Sequence, residues 1–291
     1  MIRAAPRFVN TGPARSRLAC GVVGMARDAT TPERRAGEAP ERETGTVRRV
    51  LMLIAELADN PGISAQSLAA RLNLPRSSVH RLLSMLRADG YADAEAGGGF
   101  GPGMELFRIA GRLSPNVPYR RLAEPYLQAL SAQFQETSIL ALLARERLKM
   151  FYAAQGEPPD PMRYKLELGA LEPLVWGATA RVMLAHLSEE EIMAAMARRE
   201  RSPARQLVPD EAEVLGSLAE IRRLGYGITH GHRTPNAVGI AAPFFDAAGG
   251  VAGSVAFLIP QFRWATAPRD AVIAAITAAA AGLSRRLGHA G

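Results

Sequence analysis

The chain nearly lacks cysteine. Cys20 is the single one in 291 residues, so no disulfide can close within the chain and no thiolate metal cluster can be built. A reducing cytoplasm is the compartment this usage favours. Long apolar runs are missing too. No stretch approaches the roughly 18 consecutive apolar residues of a spanning helix, and the alanine-rich stretch from Ala271 to Ala281 is interrupted by Thr277. No membrane partner is expected. Lysine is scarce: Lys149 and Lys165 are the only two among 35 basic residues. Arginine suits forked contacts to phosphate and guanine, although a GC-rich genome would raise it everywhere.

What is present describes a soluble globular protein. Hydrophobic residues make up 48% and charged residues 22%, enough to bury a core unaided. A formal charge of +7 favours polyanionic partners and says nothing about fold. Residues 1–44 form a basic tail expected to be disordered, with five arginines and no acid before Asp28. A DNA-affine arm, a targeting peptide and an over-extended start ahead of Met25 compete as its explanation.

Apolar spacing at Val47, Val50, Leu51, Ile54, Leu57 and Ala58 marks a helix face from about Thr46; Asn60-Pro61-Gly62 stops it. A short helix follows from Ser64 to Arg71. Pro75 opens a third, running to Asp89 and burying Val79, Leu82, Leu83 and Leu86. Tyr91 to Pro102 reads as a hairpin tipped by Gly97-Gly98-Gly99. Three helices and a hairpin make a winged helix-turn-helix over 45–103. The outward side of the third helix carries Arg76, Ser77, Ser78, His80, Arg81 and Ser84, with Ser64 and Ser67 nearby. These are short donors and arginine, suited to base edges and phosphates. No acid lies between Arg71 and Asp89. A solvated arginine face on a structural helix, or a winged helix used as a protein–protein docking module beside a vestigial sensor, are the competing readings.

Residues 104–118 read as a linker helix and hinge, broken by Pro115 and Pro118. Residues 119–291 interleave strands and helices. Strands are expected at Thr137–Leu143, Lys149–Ala154, Met162–Leu166, Gly239–Phe245 and Gly253–Ile259, and a final helix at Asp270–Leu287.

The stretch Ser67 to Tyr91, SLAARLNLPRSSVHRLLSMLRADGY, closely resembles the recognition region of the IclR family of transcriptional regulators. PLVWGATARVMLAHLSEEE (Pro173–Glu191), IRRLGYGITHG (Ile221–Gly231) and GIAAPFFDAAGGVAG (Gly239–Gly253) resemble its effector-binding domain. The resemblance implies an α+β protein: an N-terminal winged helix-turn-helix and a C-terminal GAF-like α/β domain with an antiparallel sheet. It further implies a homodimer or tetramer on a palindromic double-stranded operator, controlled by a small-molecule effector. One departure is that the wing carries Asp93 and Glu95 but no lysine or arginine.

Carried over residue by residue, the family's effector contacts fall on Tyr164, Glu172, Ala178, Thr179, Thr229, Gly239, Ala256 and Leu258. Family members that sense small oxo-acids have polar groups at several of these positions. The drier set here favours an aromatic or partly apolar carboxylate, with Trp176 and Tyr164 to stack on it and Arg163 or Arg181 to clamp the acid. The competing reading is that these residues merely fill the pocket. His230 and His232 alone do not supply the three or four ligands a metal needs, so no metal or cofactor is expected; solvated loop histidines, or a phosphate- or ligand-facing pair beside Arg233, are the readings left open. No Gly-x-Ser-x-Gly elbow or carboxylate pair points to an enzyme.

Overall fold

The computed structural model describes residues 40–113, 118–158 and 163–290. The expected tail up to residue 39 and the hinge at Pro115 lie outside the described residues. The chain divides into two compact units, Met1–Arg48 and Arg49–Gly291; of the first, only the opening turns of a helix are described.

That helix, α1 (Pro40–Asp59), is followed by α2 (Ala65–Leu72) and α3 (Arg76–Ala88). α1 starts ahead of Thr46, with Pro40 in its first turn, where a missing N–H costs nothing. Its inner face differs from the sequence expectation. Leu53 and Leu57 are fully buried, flanked by Val50 and Ile54, whereas Val47 and Leu51 are 62% and 61% exposed. A helix stripe spans about 100°, so Val50 and Ile54 belong equally to two neighbouring stripes. Packing chooses between them. In α3 the spacing held: Val79, Leu82, Leu83 and Leu86 are buried. The turn between α2 and α3 passes through Asn73 in a left-handed conformation, φ 52°, which asparagine tolerates. The wing pairs β1 (Ala92–Ala94) with β2 (Phe100–Pro102), Asp93 opposite Gly101. Gly99 is obligatory there, because a Cβ would meet the Gly62 carbonyl at 2.0 Å.

Helices α4 (Met104–Leu113) and α5 (Pro118–Phe134) lead to the second half. Its strands are β3 (Thr137–Ala144), β4 (Lys149–Gly156), β5 (Glu172–Pro173), β6 (Gly227–His230), β7 (Ala237–Phe245) and β8 (Val251–Pro260). They form one antiparallel sheet in the order β5-β4-β3-β8-β7-β6. The helices are α6 (Ala178–Leu184), α7 (Glu189–Ala197), α8 (Glu211–Leu224), the short α9 (Gln261–Trp264) and α10 (Arg269–Arg286).

From Ile139 on, β3 is apolar because both faces are covered. Ile139 and Ala141 join the core beneath α6 and α8. Leu140 and Leu142 join the one beneath α5 and α10. This is the α+β architecture, with a helix-turn-helix domain and an antiparallel-sheet domain.

The expected strand at 162–166 is corrected. Arg163–Leu166 is not in a strand; Gln155 Oε1 accepts the Leu166 N–H at 3.1 Å instead. The edge position goes to β5, which pairs Glu172 with Met150. Alternation in a short exposed segment cannot tell a ladder from an extended loop.

Candidate functional site

The outward side of α3 is free of packing. Arg76, Ser77, His80, Arg81 and Ser84 are exposed, and Ser78 is half-buried. Arg87 continues the basic side at the last turn. The leucines on the opposite side fix the register, so this polar face is presented as one surface. Two of the expected contact residues have backbone duties. Ser64 caps α2: its Oγ accepts the Ser67 N–H at 3.0 Å and shares a hydrogen bond with the Ser67 hydroxyl at 2.9 Å. Ser84 donates to the His80 carbonyl at 2.9 Å. Arg71 is held by Glu56 at 2.8 Å, so part of its charge is already offset. On the wing, the Glu95 carboxylate folds back over Gly101 and Gly62, so its charge is drawn toward the wing base.

In the sheet domain a cavity of about 40 Å³ lies at the start of α6. It is lined by Tyr152, Gly177, Ala178, Thr179, Thr229, His232, Arg233 and Gly239, with Ile139, Leu166, Phe257 and Leu258 as its apolar part. Of the expected effector contacts, Ala178, Thr179, Thr229, Gly239 and Leu258 meet here. Tyr164, Glu172, Trp176, Arg181 and Ala256 do not line it.

The reasons are physical. Arg181 points away from the cavity and is engaged at every donor group: Nε donates to the Val175 carbonyl at 3.0 Å, Nη1 to Ser217 at 3.1 Å, and both Nη atoms to Glu213 at 2.5 and 2.8 Å. It is 1% exposed. Trp176 is pinned by its indole N–H on the Glu200 carbonyl at 2.8 Å and meets His232 edge-on. Ala256 is part of the core beneath α6. Tyr164 sits on the irregular segment after residue 162, where Thr137 donates to its carbonyl at 3.4 Å. Arg163 pairs with Glu157 at 2.9 Å. Neither arginine that the sequence suggested as a clamp lines this cavity.

The rim is built by tertiary contacts. The Ala178 N–H donates to Thr229 Oγ1 at 3.0 Å, and Ser254 donates to the Thr179 carbonyl at 3.1 Å. Sequence reasoning missed Tyr152 and Phe257, and reached His232 only as one of a histidine pair beside Arg233 that faces solvent, a phosphate or a ligand. Tyr152 shares the inward parity of Met150 on β4 and was legible in principle. Arg233 lies in the loop between β6 and β7 and carries no pattern signal. Its Nη2 pairs with Glu172, while its Nη1 is buried without a hydrogen-bond partner among the described residues. Burial raises the Tyr152 phenol, and the nearby Arg233 charge opposes that shift.

Burial, reinforced by the Arg181 charge, pushes His232 down to about 4. The sign follows from linkage. The unfolded chain titrates near 6.5 and takes up the proton the folded chain refuses, so stability falls as pH drops from about 6.5 toward 4. We expect a loss of about 2 kcal/mol between pH 7 and pH 5 from this group. Urea unfolding at both pH values checks it, and His232→Asn should flatten the slope.

A wider cleft of about 470 Å³ lies at the far ends of α6 and α10, lined by His186, Phe245, Ser284, Arg285 and His289. Its Ser284 hydroxyl already accepts from the Phe245 N–H and donates to the Ala280 carbonyl, both at 3.0 Å. Among the described residues no group of three or more His, Cys, Asp or Glu side chains is placed to hold a metal. No helix there is long and apolar enough to cross a membrane.

Both halves match families. The IclR helix-turn-helix domain matches residues 46–95. The bacterial transcriptional regulator IclR C-terminal domain matches residues 115–285. The regulator BhcR of Paracoccus denitrificans is 29% identical over 259 residues, covering 87% of this chain and 92% of its own. KipR of Bacillus subtilis is 23% identical over 250 residues, 86% and 99%. An IclR-type regulator from Silicibacter sp. TM1040 shares the fold with a TM-score of 0.75 at 24% identity, covering 84% of this chain and 97% of its own. These families and relatives are transcriptional regulators, not enzymes. Family matches on both halves, meeting a helix-turn-helix with its polar face open and a sheet domain with a lined cavity, make this chain a DNA-binding transcriptional regulator of the IclR family.

Proposed function

We propose that the chain is a cytoplasmic homodimer or tetramer that reads a palindromic operator through α3 and answers to a small, partly apolar carboxylate bound beside α6. The observation that carries the DNA-reading part is the exposed face of α3, basic and hydroxylic and without an acid along its length. Arg76 and Arg81 reach base edges or phosphates, and Ser77, Ser78 and His80 add short donors. Self-association is supported by α4, an amphipathic helix that buries none of its own residues: Met104, Phe107 and Leu113 are 73%, 58% and 62% exposed. A two-fold partner would cover them and place two reading helices on two half-sites.

The carboxylate reading rests on a cavity that combines an apolar wall of Ile139, Leu166, Phe257 and Leu258 with the cationic side chain of Arg233. An IclR homologue from Microbacterium hydrocarbonoxydans with the same fold, TM-score 0.66 at 21% identity, was crystallised with 4-hydroxybenzoate. Ligand pockets usually measure about 300–1,000 Å³, so a cavity of about 40 Å³ must widen to admit a ring. Leu166 lies on a segment outside the sheet ladder and is the wall that can move.

The test uses a duplex selected from a random library by the wild-type protein. Arg81→Ala is expected to weaken binding to it by about 10- to 100-fold, roughly 1–3 kcal/mol, with a smaller loss on random duplex. Affinity for the selected duplex should fall steeply with salt. Unchanged gel-shift affinity in the variant would remove α3 from the interface.

A further inference from the structure

We infer that Arg233 is the anion anchor of the cavity beside α6, and that Glu172 is a resident counter-ion from which an incoming ligand carboxylate takes it over. This rests on the carboxylate reading above and names the groups that would carry it.

Among the described residues Arg233 is the one charged side chain that lines the cavity and no carboxylate does, while His232 is pushed down to about 4 by burial. Its guanidinium is 13% exposed. A guanidinium offers donors in a planar fork and remains charged at any pH the fold survives. Here one arm, Nη2, is paired with Glu172, and the other, Nη1, is buried with no hydrogen-bond partner among the described residues. A buried N–H left unmet costs on the order of 1–3 kcal/mol, and on a cavity-lining residue a bound acceptor would remove that cost.

The site is shaped to hold this side chain. Arg233 crosses directly over Gly177, where a Cβ would meet its Cδ at 2.8 Å, and Gly177 has φ +82°. Only glycine gives both the left-handed backbone and the close approach. Tyr152 lines the same cavity, and the Arg233 charge acts on its phenol against the effect of burial. The neighbouring arginines are engaged elsewhere: Arg181 on Glu213, and Arg205 on the His230 and Gly231 carbonyls.

Glu172 differs from those partners. It is 28% exposed and does not itself line the cavity. It sits on β5, a two-residue edge strand attached to β4 through Glu172–Met150 and Pro173–Lys149 pairs. So short a ladder opens at little cost. A ligand carboxylate on Nη1 would face the Glu172 carboxylate across one guanidinium, and two anions at that range repel. Ligand and Glu172 therefore compete for one cation, and a single guanidinium suits a monoanion. Release of Glu172 would loosen the edge that leads directly into Gly177 and α6, which gives the ligand a way to change the domain's shape.

The test is calorimetry on the full chain with benzoate, 4-hydroxybenzoate and pyruvate, and with neutral benzamide as the control. Glu172→Gln keeps an acceptor for Nη2 but removes the charge. It should tighten the acids by about tenfold and leave benzamide unchanged. Arg233→Ala should weaken the acids by about a hundredfold and cancel the gain from Glu172→Gln in the double variant; Arg233→Lys, which keeps charge and bulk, should restore part of the binding. Arg285→Ala, in the distant cleft, should change nothing. If the wild type binds an acid and Glu172→Gln binds it equally or more weakly, the counter-ion idea is overturned while the carboxylate reading stands. Binding that survives Arg233→Ala but not Arg285→Ala overturns the anchor and moves the site to the cleft. No acid bound by either the wild type or Glu172→Gln overturns both.

Discussion

Replacing Glu213 with alanine should lower the free energy of unfolding by about 3 kcal/mol, measured by urea denaturation of the full chain. The cost comes from the partner left behind. Arg181 has a side chain 2% exposed and the Glu213 carboxylate as its counter-charge. Without that carboxylate, a guanidinium remains buried with only the Val175 carbonyl and the Ser217 hydroxyl as acceptors. Glu213 itself is 50% exposed, so water entering its vacated place brings the figure to the low end of what breaking a buried pair usually costs. Replacing Arg181 and Glu213 together with apolar residues should recover most of the loss, because the pair's attraction only offsets the desolvation of the arginine. The pH dependence has a defined sign. The hydrogen bonds from Arg181 hold the Glu213 carboxyl below its ordinary range, so its share of stability is present above that range and disappears as the solution is acidified through it. A variant as stable as the wild type would show that Arg181 finds another partner.

Leu83→Ala should abolish DNA binding and leave the proposed carboxylate binding intact. Leu83 is 1% exposed on α3, in a core shared with Leu53, Leu57, Leu68 and Leu82. Truncating a buried leucine costs about 2–5 kcal/mol, a large part of what a helical head of some 60 residues has to lose. The cores beneath α6 and beneath α10 contain no residue of this one, so the sheet domain keeps its own stability. Gel shift on the selected duplex and calorimetry with the acids read the two halves separately. Loss of both activities together would show that the two domains unfold as one cooperative body.

The two halves were unequally legible. In α3 the spacing of Val79, Leu82, Leu83 and Leu86 leaves one inward arc, and with Pro75 at the start the outward residues follow by subtraction. α1 failed the same test because Val50 and Ile54 serve two arcs, and α2 and α3 bury Leu53 in place of Leu51. The cavity beside α6 was half legible. Ala178, Thr179, Thr229, Gly239 and Leu258 came from resemblance, and they meet because β6, β7 and β8 are adjacent strands. Arg181 stood beside them in sequence and was read as a clamp. In space it turns to Glu213, 32 residues away along the chain, a partner that no local pattern indicates.

From the chain alone come the winged reading head, the basic and acid-free side of α3, the antiparallel domain behind it and the family. All of these depend on periodicity, turn residues and contiguous motifs, which act over a few neighbours. Tertiary structure alone decided which arginine faces the cavity, that its counter-charge is Glu172, and that the cavity is small. Those outcomes depend on pairings between β4, β5 and the loop before β7, segments far apart in sequence. A side chain's partner is set by what folding brings within about 3 Å of it, not by what precedes it in the chain.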